Sequence, residues 1–233
     1  MGIPFACRGF RCCGNSSKQH PDARVGQEDI AAVYNRIAPL YDVWGRLTET
    51  RARDRAIALA DIRDGQSILE VAVGTGIAFG EILKRNPNGT TIGIDLSAGM
   101  LARARKRARR YAAANYSLVI GSAFQLNIGD ATIDTLVNNY MFDLIPFEDM
   151  DSIIAEFKRV LKNGGKLVLV NMTEGERFGS TLYDLIYRIS PRTMGGCRGV
   201  RLRDRLERNG FTVVQREYHQ QMLFPSEVIL AFK

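Results

Sequence analysis

The sequence predicts an α/β fold: seven strands in a doubly wound, mostly parallel sheet that ends in an antiparallel hairpin, with helices on both faces. Three observations lead to this class. Short β-prone segments alternate with amphipathic helical segments from about residue 67 to residue 171, which is typical of a parallel sheet. A glycine turn, Gly74-Thr75-Gly76, follows the first of these strands. The last two β-prone segments have no helical segment between them, so we expect them to pair antiparallel.

Length and composition predict one large domain behind a flexible tail. The chain has 233 residues, of which 45% are hydrophobic and 24% charged, as is usual for a globular protein with a sizeable core. Residues 1–27 show no usable period and are rich in Gly, Cys, Ser and basic residues. We therefore expect a flexible tail over 1–27 and a single domain over 28–233. No apolar run approaches the ~20 residues that a membrane span needs.

The cysteines favour a reducing compartment, and we expect a cytoplasmic protein. No CxxC pair occurs, which argues against a metal site and against a disulfide framework. Free thiols without a role are the simplest interpretation, and a thiol relay is the alternative. The four cysteines are Cys7, Cys12, Cys13 and Cys197.

Helices and strands are expected in a regular order along the domain. Two cap helices are expected within residues 28–64, one over 28–38 that ends at Pro39 and an amphipathic one over about 47–62. The strands are expected over 67–73, 90–95, 117–121, 133–140, 166–171, 211–218 and 227–232. The helices between them are expected over 76–83, 97–114 and 150–161.

Turn residues set the boundaries of these elements. Ser97 is the N-cap candidate of the helix over 97–114. Residues 162–165, Lys-Asn-Gly-Gly, are expected to stop the next helix before the fifth strand. Residues 220–226 are expected to join the last two strands. Residues 172–210 form a long insertion between the fifth and sixth strands.

The glycine turn and a later acid predict a site for a nucleotide-type ligand. Gly74 and Gly76 let the backbone approach a ligand closely, and the helix that follows offers free N–H groups at its N-terminus. Asp95 comes nineteen residues after Gly76, at the end of the second strand. A carboxylate there can accept hydrogen bonds from both hydroxyls of a ribose. A glycine turn without a ligand would make the position of Asp95 a coincidence.

Two cofactors use a turn of this kind, and the residues around it favour S-adenosylmethionine over a dinucleotide. The dinucleotide fingerprint has a third glycine where this chain has Phe79. Glu70, in the strand before the turn, would repel a pyrophosphate. S-adenosylmethionine has no phosphate and carries a sulfonium and an α-ammonium, which a carboxylate can anchor.

Several segments resemble a known family. ILEVAVGTG followed by GIDLSAGML is similar to the class I methyltransferases, in particular to the ubiquinone/menaquinone-biosynthesis C-methyltransferases and bacterial phosphatidylethanolamine N-methyltransferases. The resemblance covers about residues 30–172 and includes YNRIAPLYD, GSAFQL, IDTLVNNYMFDLIP and EFKRVLKNGGKLVLVN. It implies the Rossmann-like methyltransferase fold with S-adenosylmethionine as methyl donor, and it leaves the methyl acceptor open.

The resemblance also implies which residues hold the methionine and ribose parts of the cofactor. Gly74, Thr75 and Gly76 would hold the methionine part. Asp95 would bind the ribose. Asn139, just after the fourth strand, would present its backbone to the amino group of the cofactor.

The same resemblance implies which residues contact the adenine and which residue covers the cofactor. Leu96 and Met100 would cover the adenine, and Ser122 and Ala123 would lie beside its edge. Many relatives have Asp or Asn where this chain has Ser122, so the hydrogen bond to the adenine is in doubt at this position. Tyr41, in the segment APLYD, resembles a tyrosine that closes the N-terminal helices over the cofactor, and core packing is the alternative.

Three residues near the expected mouth of the site are candidate catalytic bases. The transfer is an SN2 displacement at a sulfonium methyl, so a base is needed only if the acceptor must lose a proton. Tyr140 and Asp143 follow the fourth strand, and His219 lies in the terminal hairpin. Asn171 is a further polar residue at this edge of the predicted sheet.

The insertion over 172–210 is the expected acceptor side. Long insertions at this place often bind substrates. An apolar stripe at helical spacing predicts a cover over a hydrophobic acceptor, or ordinary core: Leu182, Tyr183, Ile186 and Tyr187. Three arginines there are candidates for contacting an anionic headgroup: Arg192, Arg198 and Arg201.

One helical segment, LARARKRARR over 101–110, carries six basic residues and no acid. A solvated outer helix is the simplest interpretation, an anionic membrane surface is the second and a nucleic-acid face is the third. No aromatic residue interrupts the run before Tyr111, so base stacking has little support. The six residues are Arg103, Arg105, Lys106, Arg107, Arg109 and Arg110.

The sequence therefore predicts a methyltransferase that uses S-adenosylmethionine on a small-molecule or lipid acceptor. An amine-headgroup lipid and a quinone-like ring are both open as acceptors. RNA and protein methyltransferases are the first alternative, although the fourth strand leads into NNYMFDLIP rather than Asn/Asp-Pro-Pro-Tyr. A non-catalytic module that only binds the cofactor is the second alternative.

Overall fold

The computed structural model describes residues 48–173, 198–221 and 224–233. The helix predicted over 28–38, Tyr41 and most of the predicted insertion lie outside the described residues, as do all four cysteines. Within the described ranges, no helix is long and apolar enough to cross a membrane. The same ranges hold no group of three or more His, Cys, Asp or Glu side chains placed to bind a metal ion.

The described part of the chain contains five α-helices and seven strands. The helices are α1 (Thr50–Ala60), α2 (Ile77–Arg85), α3 (Ala98–Ala108), α4 (Met150–Val160) and α5 (Arg203–Arg208). Short 3-10 helices cover Arg109–Tyr111 and Phe142–Leu144. The strands are β1 (Ser67–Val71), β2 (Thr90–Asp95), β3 (Asn115–Ile120), β4 (Ile133–Asn139), β5 (Leu161–Met172), β6 (Thr212–Gln221) and β7 (Phe224–Phe232).

The seven strands form one sheet in the order β3-β2-β1-β4-β5-β7-β6. Strands β1 to β5 are parallel, and β7 runs antiparallel to both β5 and β6. The predicted fold class is confirmed, including its antiparallel hairpin. Strand order reverses at β1, which lies between β2 and β4. In open α/β sheets, ligands bind at the carboxyl ends of the strands beside such a reversal.

The central strands are buried on both faces. Alternate residues of β1 and β5 contribute to different cores: Ile68 and Val168 pack on the face that carries α1, whereas Leu69 and Leu167 pack on the face that carries α4. All four side chains are fully buried. A charged side chain within these strands is therefore removed from water, which is costly unless a partner or ligand compensates it.

Most predicted boundaries agree with the structure to within a few residues. β2 begins and ends as predicted, and Ser97 caps α3 because its Oγ accepts a hydrogen bond from the Met100 N–H at 3.1 Å. α3 ends at Ala108, earlier than predicted. Asn115 has to pair with Thr90 of β2, and this strand pairing overrides the helix propensity of the alanines that precede it.

The glycine stop predicted over 162–165 lies inside β5. Leu161 is fully buried and already pairs with Ile133 of β4, so the strand starts where α4 ends. Gly164 has φ +73°, and its N–H donates to the Lys233 carbonyl at 2.9 Å. The segment is therefore an irregular start of the strand and not a separate turn.

The C-terminal elements differ from the prediction in extent. α5 covers Arg203–Arg208, a part of the insertion where we predicted no helix, because RDRLER offers one buried apolar side chain, Leu206, and no apolar period. β6 ends at Gln221 and β7 begins at Phe224. Most of the connection predicted over 220–226 therefore belongs to the two strands.

Candidate functional site

A cavity opens at the carboxyl ends of β1, β2 and β4, beside the reversal of strand order. Its wall is mainly apolar and includes Val71, Ile94, Phe124, Met141, Leu144 and Ile145. Predicted site residues that line it are Gly74, Asp95, Leu96, Met100, Ser122, Ala123, Asn139 and Tyr140. The structure thus brings together residues from four separate segments of the sequence.

The two glycines of the turn have different roles, one in helix packing and one at the cavity. A side chain at Gly76 would place its Cβ 2.8 Å from the Cα of Ala104, so the glycine allows α2 and α3 to pack closely. A Cβ at Gly74 would have no heavy atom within 4 Å, and Gly74 lines the cavity. Both have positive φ, +57° and +79°. Only Gly74 leaves its backbone open to a ligand, whereas Thr75 is buried and neither Thr75 nor Gly76 lines the cavity.

Asp95 fixes the glycine turn to the end of β2. Its Oδ2 accepts the N–H of Gly74 at 2.7 Å, and its Oδ1 accepts the N–H of Ser97 at 2.8 Å. Burial raises the pKa of Asp95, and these backbone donors act against that rise. Each carboxylate oxygen keeps a further lone pair on the cavity side, which is the chemistry that a pair of ribose hydroxyls requires.

Glu70 is the buried charge within β1, and one of its oxygens has no partner. It is 1% exposed, and its Oε2 makes no hydrogen bond within the described residues. Glu70 is in register with Val137, so Asn139, two residues further along β4, lies on the same face of the sheet. Both amide atoms of Asn139 are buried and likewise lack a hydrogen-bond partner in the described part of the chain.

The pKa of Glu70 depends on burial and on the charged and polar groups near its carboxylate. Burial raises its pKa well above the ordinary value, the Asn139 amide lowers it and the Asp95 carboxylate raises it further. A cation beside the carboxylate would reverse that shift. The unpartnered oxygen of Glu70, the unpartnered amide of Asn139 and the ribose-type acceptor Asp95 fit the ammonium and ribose of S-adenosylmethionine.

Two non-glycine residues at the cavity have left-handed backbone. Ala72, at the end of β1, has φ +60°, and Tyr140, at the end of β4, has φ +50°. Such residues cost about 1–3 kcal/mol each and persist only when their surroundings hold them. Tyr140 is held by its N–H, which donates to the Val170 carbonyl at 2.6 Å, and by its hydroxyl, 2.8 Å from Ser226 Oγ. Sequence analysis missed Ala72 and Ser226, because no local pattern marks them.

Asp143 and Arg198 are buried behind the cavity wall. Asp143 is fully buried and does not line the cavity. Arg198 is 1% exposed; its N–H donates to the Asp143 carbonyl at 3.2 Å, and its guanidinium lies 4.0 Å from the ring centre of Phe147. The prediction that Arg198 contacts an anionic headgroup is therefore wrong. Arg201 is exposed, and Arg192 lies outside the described residues.

His219 belongs to an ion-pair network on the edge strand β6. Its Nε2 is 2.9 Å from Glu217 Oε2, and Arg55 of α1 donates to both oxygens of Glu217. Arg55 first, and His219 to a smaller extent, lower the pKa of Glu217 to about 2. His219 does not line the cavity, so the structure does not place it with Tyr140.

Asn171 lies in a second buried polar group around Glu227. Its Nδ2 donates to Glu227 Oε1 at 2.8 Å, and Arg216 Nε donates to Oε2 at 2.6 Å. The N–H of Leu202 reaches Oε1 at 3.4 Å. Asn171 does not line the cavity, and its role is to satisfy a buried carboxylate.

Comparison with known proteins finds similarity to methyltransferases. The family described as Methyltransferase domain matches residues 68–165. A demethylmenaquinone methyltransferase of Thermobifida fusca is 32% identical over 145 residues, which are 60% of this chain and 60% of that relative. The chain therefore spans less than two thirds of the length of this relative.

Solved structures share the fold at low sequence identity. The cyclase SpnF aligns with a TM-score of 0.69 at 18% identity, covering 88% of this chain and 95% of that one. Magnesium protoporphyrin IX methyltransferase of Synechocystis PCC 6803, solved with bound SAH, aligns with a TM-score of 0.62 at 16% identity, covering 91% and 90%. At these identities the likeness shows the fold alone.

Proposed function

We propose that the chain is a class I S-adenosylmethionine-dependent methyltransferase and that it transfers a methyl group to a small apolar acceptor with a quinone-like ring. The observation that carries this proposal is an apolar cavity whose buried polar atoms match the charged and hydroxylated parts of the cofactor. The acceptor class follows the name of the Thermobifida relative. A cyclase has the same fold, so the fold by itself does not establish methyl transfer.

The cofactor is held by residues from both sides of the strand reversal. S-adenosylmethionine supplies an electrophilic methyl group on a sulfonium. Asp95 would accept the ribose hydroxyls, while Glu70 and Asn139 would meet the α-ammonium. Leu96 and Met100 would cover the adenine, beside Ser122 and Ala123. The sulfonium itself needs no carboxylate contact, because the apolar wall strengthens its attraction to Glu70 at longer range.

The acceptor would bind against the apolar end of the same cavity. Met141 and Leu144 belong to the wall there, next to Tyr140. Two described residues of the insertion are bound to the rest of the domain: the N–H of Thr173 donates to the Pro225 carbonyl at 3.1 Å, and the N–H of Arg198 donates to the carbonyl of Asp143, the neighbour of the wall residue Leu144. These contacts support an acceptor-side role for the insertion. Burial of Arg198 removes one contact that an anionic headgroup would have used.

The transfer breaks the S–CH3 bond, forms a C–CH3 bond on the reduced ring and leaves S-adenosylhomocysteine, and the ring C–H proton is then lost to solvent water. The protein contributes alignment more than proton transfer. Holding acceptor and donor in line is worth about 7–11 kcal/mol. Burial raises the pKa of Tyr140 well above its ordinary value, so this hydroxyl keeps its proton and bonds to Ser226. Tyr140 is the one of the three proposed bases that lines the cavity, and Tyr140→Phe tests its role. If Tyr140 only supports the wall, the turnover number falls less than about tenfold.

A methyl-transfer assay tests the proposed function. The purified protein is given S-adenosylmethionine labelled in the methyl group, together with a reduced, ring-unsubstituted naphthoquinone or with phosphatidylethanolamine vesicles. We expect label in the ring product and none in the lipid headgroup. Asp95→Ala serves as the control for background transfer.

Two outcomes would contradict the proposal. Label in the phosphatidylethanolamine headgroup, with none in the ring, would replace the acceptor class. Tight binding of S-adenosylmethionine without transfer to any fraction of a cell extract would favour the non-catalytic alternative.

A further inference from the structure

The positive charge of the protein is concentrated on one surface. The formal net charge is +7, and the segment from α3 to Tyr111 carries six basic residues without an acid. The remainder of the chain is therefore close to neutral. A charge asymmetry of this size produces a local positive potential that attracts anionic partners.

Most cations of this segment are not neutralised inside the protein. The side chains of Arg103, Lys106, Arg109 and Arg110 make no ion pair or hydrogen bond within the described residues. Elsewhere, Arg159 and Arg55 are bonded to carboxylates at 2.5–3.0 Å. Interaction with the dipole at the C-terminus of α3 stabilises basic residues in its last turn, but it does not account for cations along the whole helix.

An exposed apolar strand lies next to the basic helix. β3 is the edge strand of the sheet, paired only with β2. Val119 and Ile120, at its end, are 48% and 58% exposed. Arg105 of α3 donates to the Leu118 carbonyl at 3.0 Å, which places the basic side of the helix beside this strand. Ile120 lies on the same face of β3 as Tyr116 and Leu118, which pack against α3, whereas Val119 points to the opposite face. We call α3, Arg109, Arg110 and Ile120 together the α3–β3 surface.

The α3–β3 surface borders the cavity. β3 ends at Ile120, and the next two residues, Gly121 and Ser122, line the cavity. α3 begins just after Ser97, which also lines it. A partner on this surface would therefore lie next to the entrance that an apolar acceptor needs.

We propose that the α3–β3 surface docks the protein on an anionic lipid membrane. Basic side chains would meet the headgroups, each contributing favourably near an anionic surface, while Ile120 would enter the apolar boundary. An aliphatic side chain favours lipid over nucleic acid here, and Tyr111 and Tyr116 are partly buried against the core, which leaves little ring surface for base stacking. The proposal rests on charge and exposure alone and does not depend on methyl transfer.

Vesicle flotation without any cofactor or acceptor tests the proposal. The full chain is mixed with phosphatidylcholine vesicles, or with vesicles containing phosphatidylglycerol, at low and at high salt. We expect binding to the anionic vesicles at low salt only, because screening shortens the range of the attraction to about 3 Å at 1 M salt. Since the wild-type chain and salt alone provide this result, it does not depend on the folding of a variant.

Two variants locate the surface. Arg105→Gln, Lys106→Gln, Arg109→Gln and Arg110→Gln together should weaken vesicle binding by at least about tenfold. A matched variant, Arg63→Gln, Arg201→Gln, Arg203→Gln and Arg208→Gln, removes the same charge from exposed positions elsewhere and should change binding less than about threefold. Ile120→Ser should weaken binding without changing its salt dependence.

Three results would overturn the proposal. Equal binding to neutral vesicles would exclude an electrostatic surface. An equal loss in the two arginine variants would show that only net charge matters. Tighter binding to an RNA or DNA oligonucleotide than to anionic vesicles, lost in the α3 variant, would assign the surface to nucleic acid.

Discussion

Two buried glutamates of the same sheet have opposite surroundings. Glu227 of β7 is fully buried, and both of its oxygens are bonded, to Asn171 and to Arg216. Glu70 of β1 is equally buried, yet its Oε2 has no partner in the part of the chain that the structure describes. Burial raises the pKa of both. Glu70 does not line the cavity, but the next residue, Val71, does. A buried carboxylate that the protein itself satisfies is structural, whereas one left unpartnered behind a cavity wall is available to a cationic ligand.

The surroundings of the two residues carry the same contrast. Around Glu227, Arg216 reaches across from β6 and the N–H of Leu202 closes the group. Around Glu70, the Asn139 amide is unpartnered too, and Ala72 and Tyr140 hold left-handed backbone. Stability has been given up beside the cavity and retained in the antiparallel part of the sheet, as is common at ligand sites.

The largest expected effect is on the structural side. Glu227→Gln breaks a buried ion pair and leaves Arg216 without its carboxylate, so we expect the free energy of unfolding to fall by about 3 kcal/mol. Urea denaturation measures this loss. Glu207→Gln, which removes an exposed pair with Arg203, is the matched control and should cost less than about 1 kcal/mol. A loss in Glu227→Gln no larger than in this control would contradict the structural role.

The next effect is on the cofactor side, at Asp95. Asp95→Ala removes the ribose acceptor and should weaken S-adenosylmethionine by at least about tenfold in calorimetry. Because Asp95 also accepts the N–H groups of Gly74 and Ser97, the variant should lose about 1–3 kcal/mol of stability as well. Unchanged affinity would remove Asp95 from the binding site. Asp95 therefore tests whether one residue contributes both to cofactor binding and to the stability of the fold.

A smaller effect is expected on the pH dependence of the unfolding free energy, which differs between Glu70 and Glu227. The raised pKa of Glu70 means that the folded protein holds this proton more tightly than the unfolded chain, whose value is 4.5. The unfolding free energy should therefore fall as pH rises from 4.5 through the raised pKa, with a slope of at most about 1.4 kcal/mol per pH unit. In Glu70→Gln this contribution is absent, while those of Asp95 and Glu227 remain. Identical pH profiles for wild type and variant would contradict the assignment.

The smallest effect is the stability of Glu70→Gln at neutral pH. Replacing an unpartnered buried carboxylate by an amide removes a desolvated charge, so stability should stay within about 1 kcal/mol of wild type or increase. Thermal unfolding without cofactor measures it. A loss as large as that of Glu227→Gln would mean that the two regions do not differ.

Local patterns in the sequence predicted the cofactor side better than the structural side. Gly74, Asp95 and Ser97 stand in short motifs at the ends of strongly patterned strands, and the structure places all three at the cavity. Glu70 was predicted from charge alone, and its place behind the wall follows from the alternation of β1. These features depend on neighbours in the chain.

Contacts between distant segments could not be predicted. Tyr140 and Ser226 are 86 residues apart, and Asn171 and Glu227 are 56 apart. Such pairs depend on which strands become neighbours, and the order β5-β7-β6 brings them together only after the chain has folded. The burial of Arg198, which we expected at a headgroup, has the same origin.

The most direct test of the central claim is a calorimetric titration of Glu70→Gln with S-adenosylmethionine and with 5′-methylthioadenosine, which lacks the amino-acid end. Loss of a charge-assisted hydrogen bond of about 1.5–3 kcal/mol should weaken S-adenosylmethionine by at least about tenfold. The truncated ligand should bind the variant and the wild type within about twofold of each other. Equal weakening of both ligands, or of neither, would contradict the assignment of Glu70 to the cofactor ammonium.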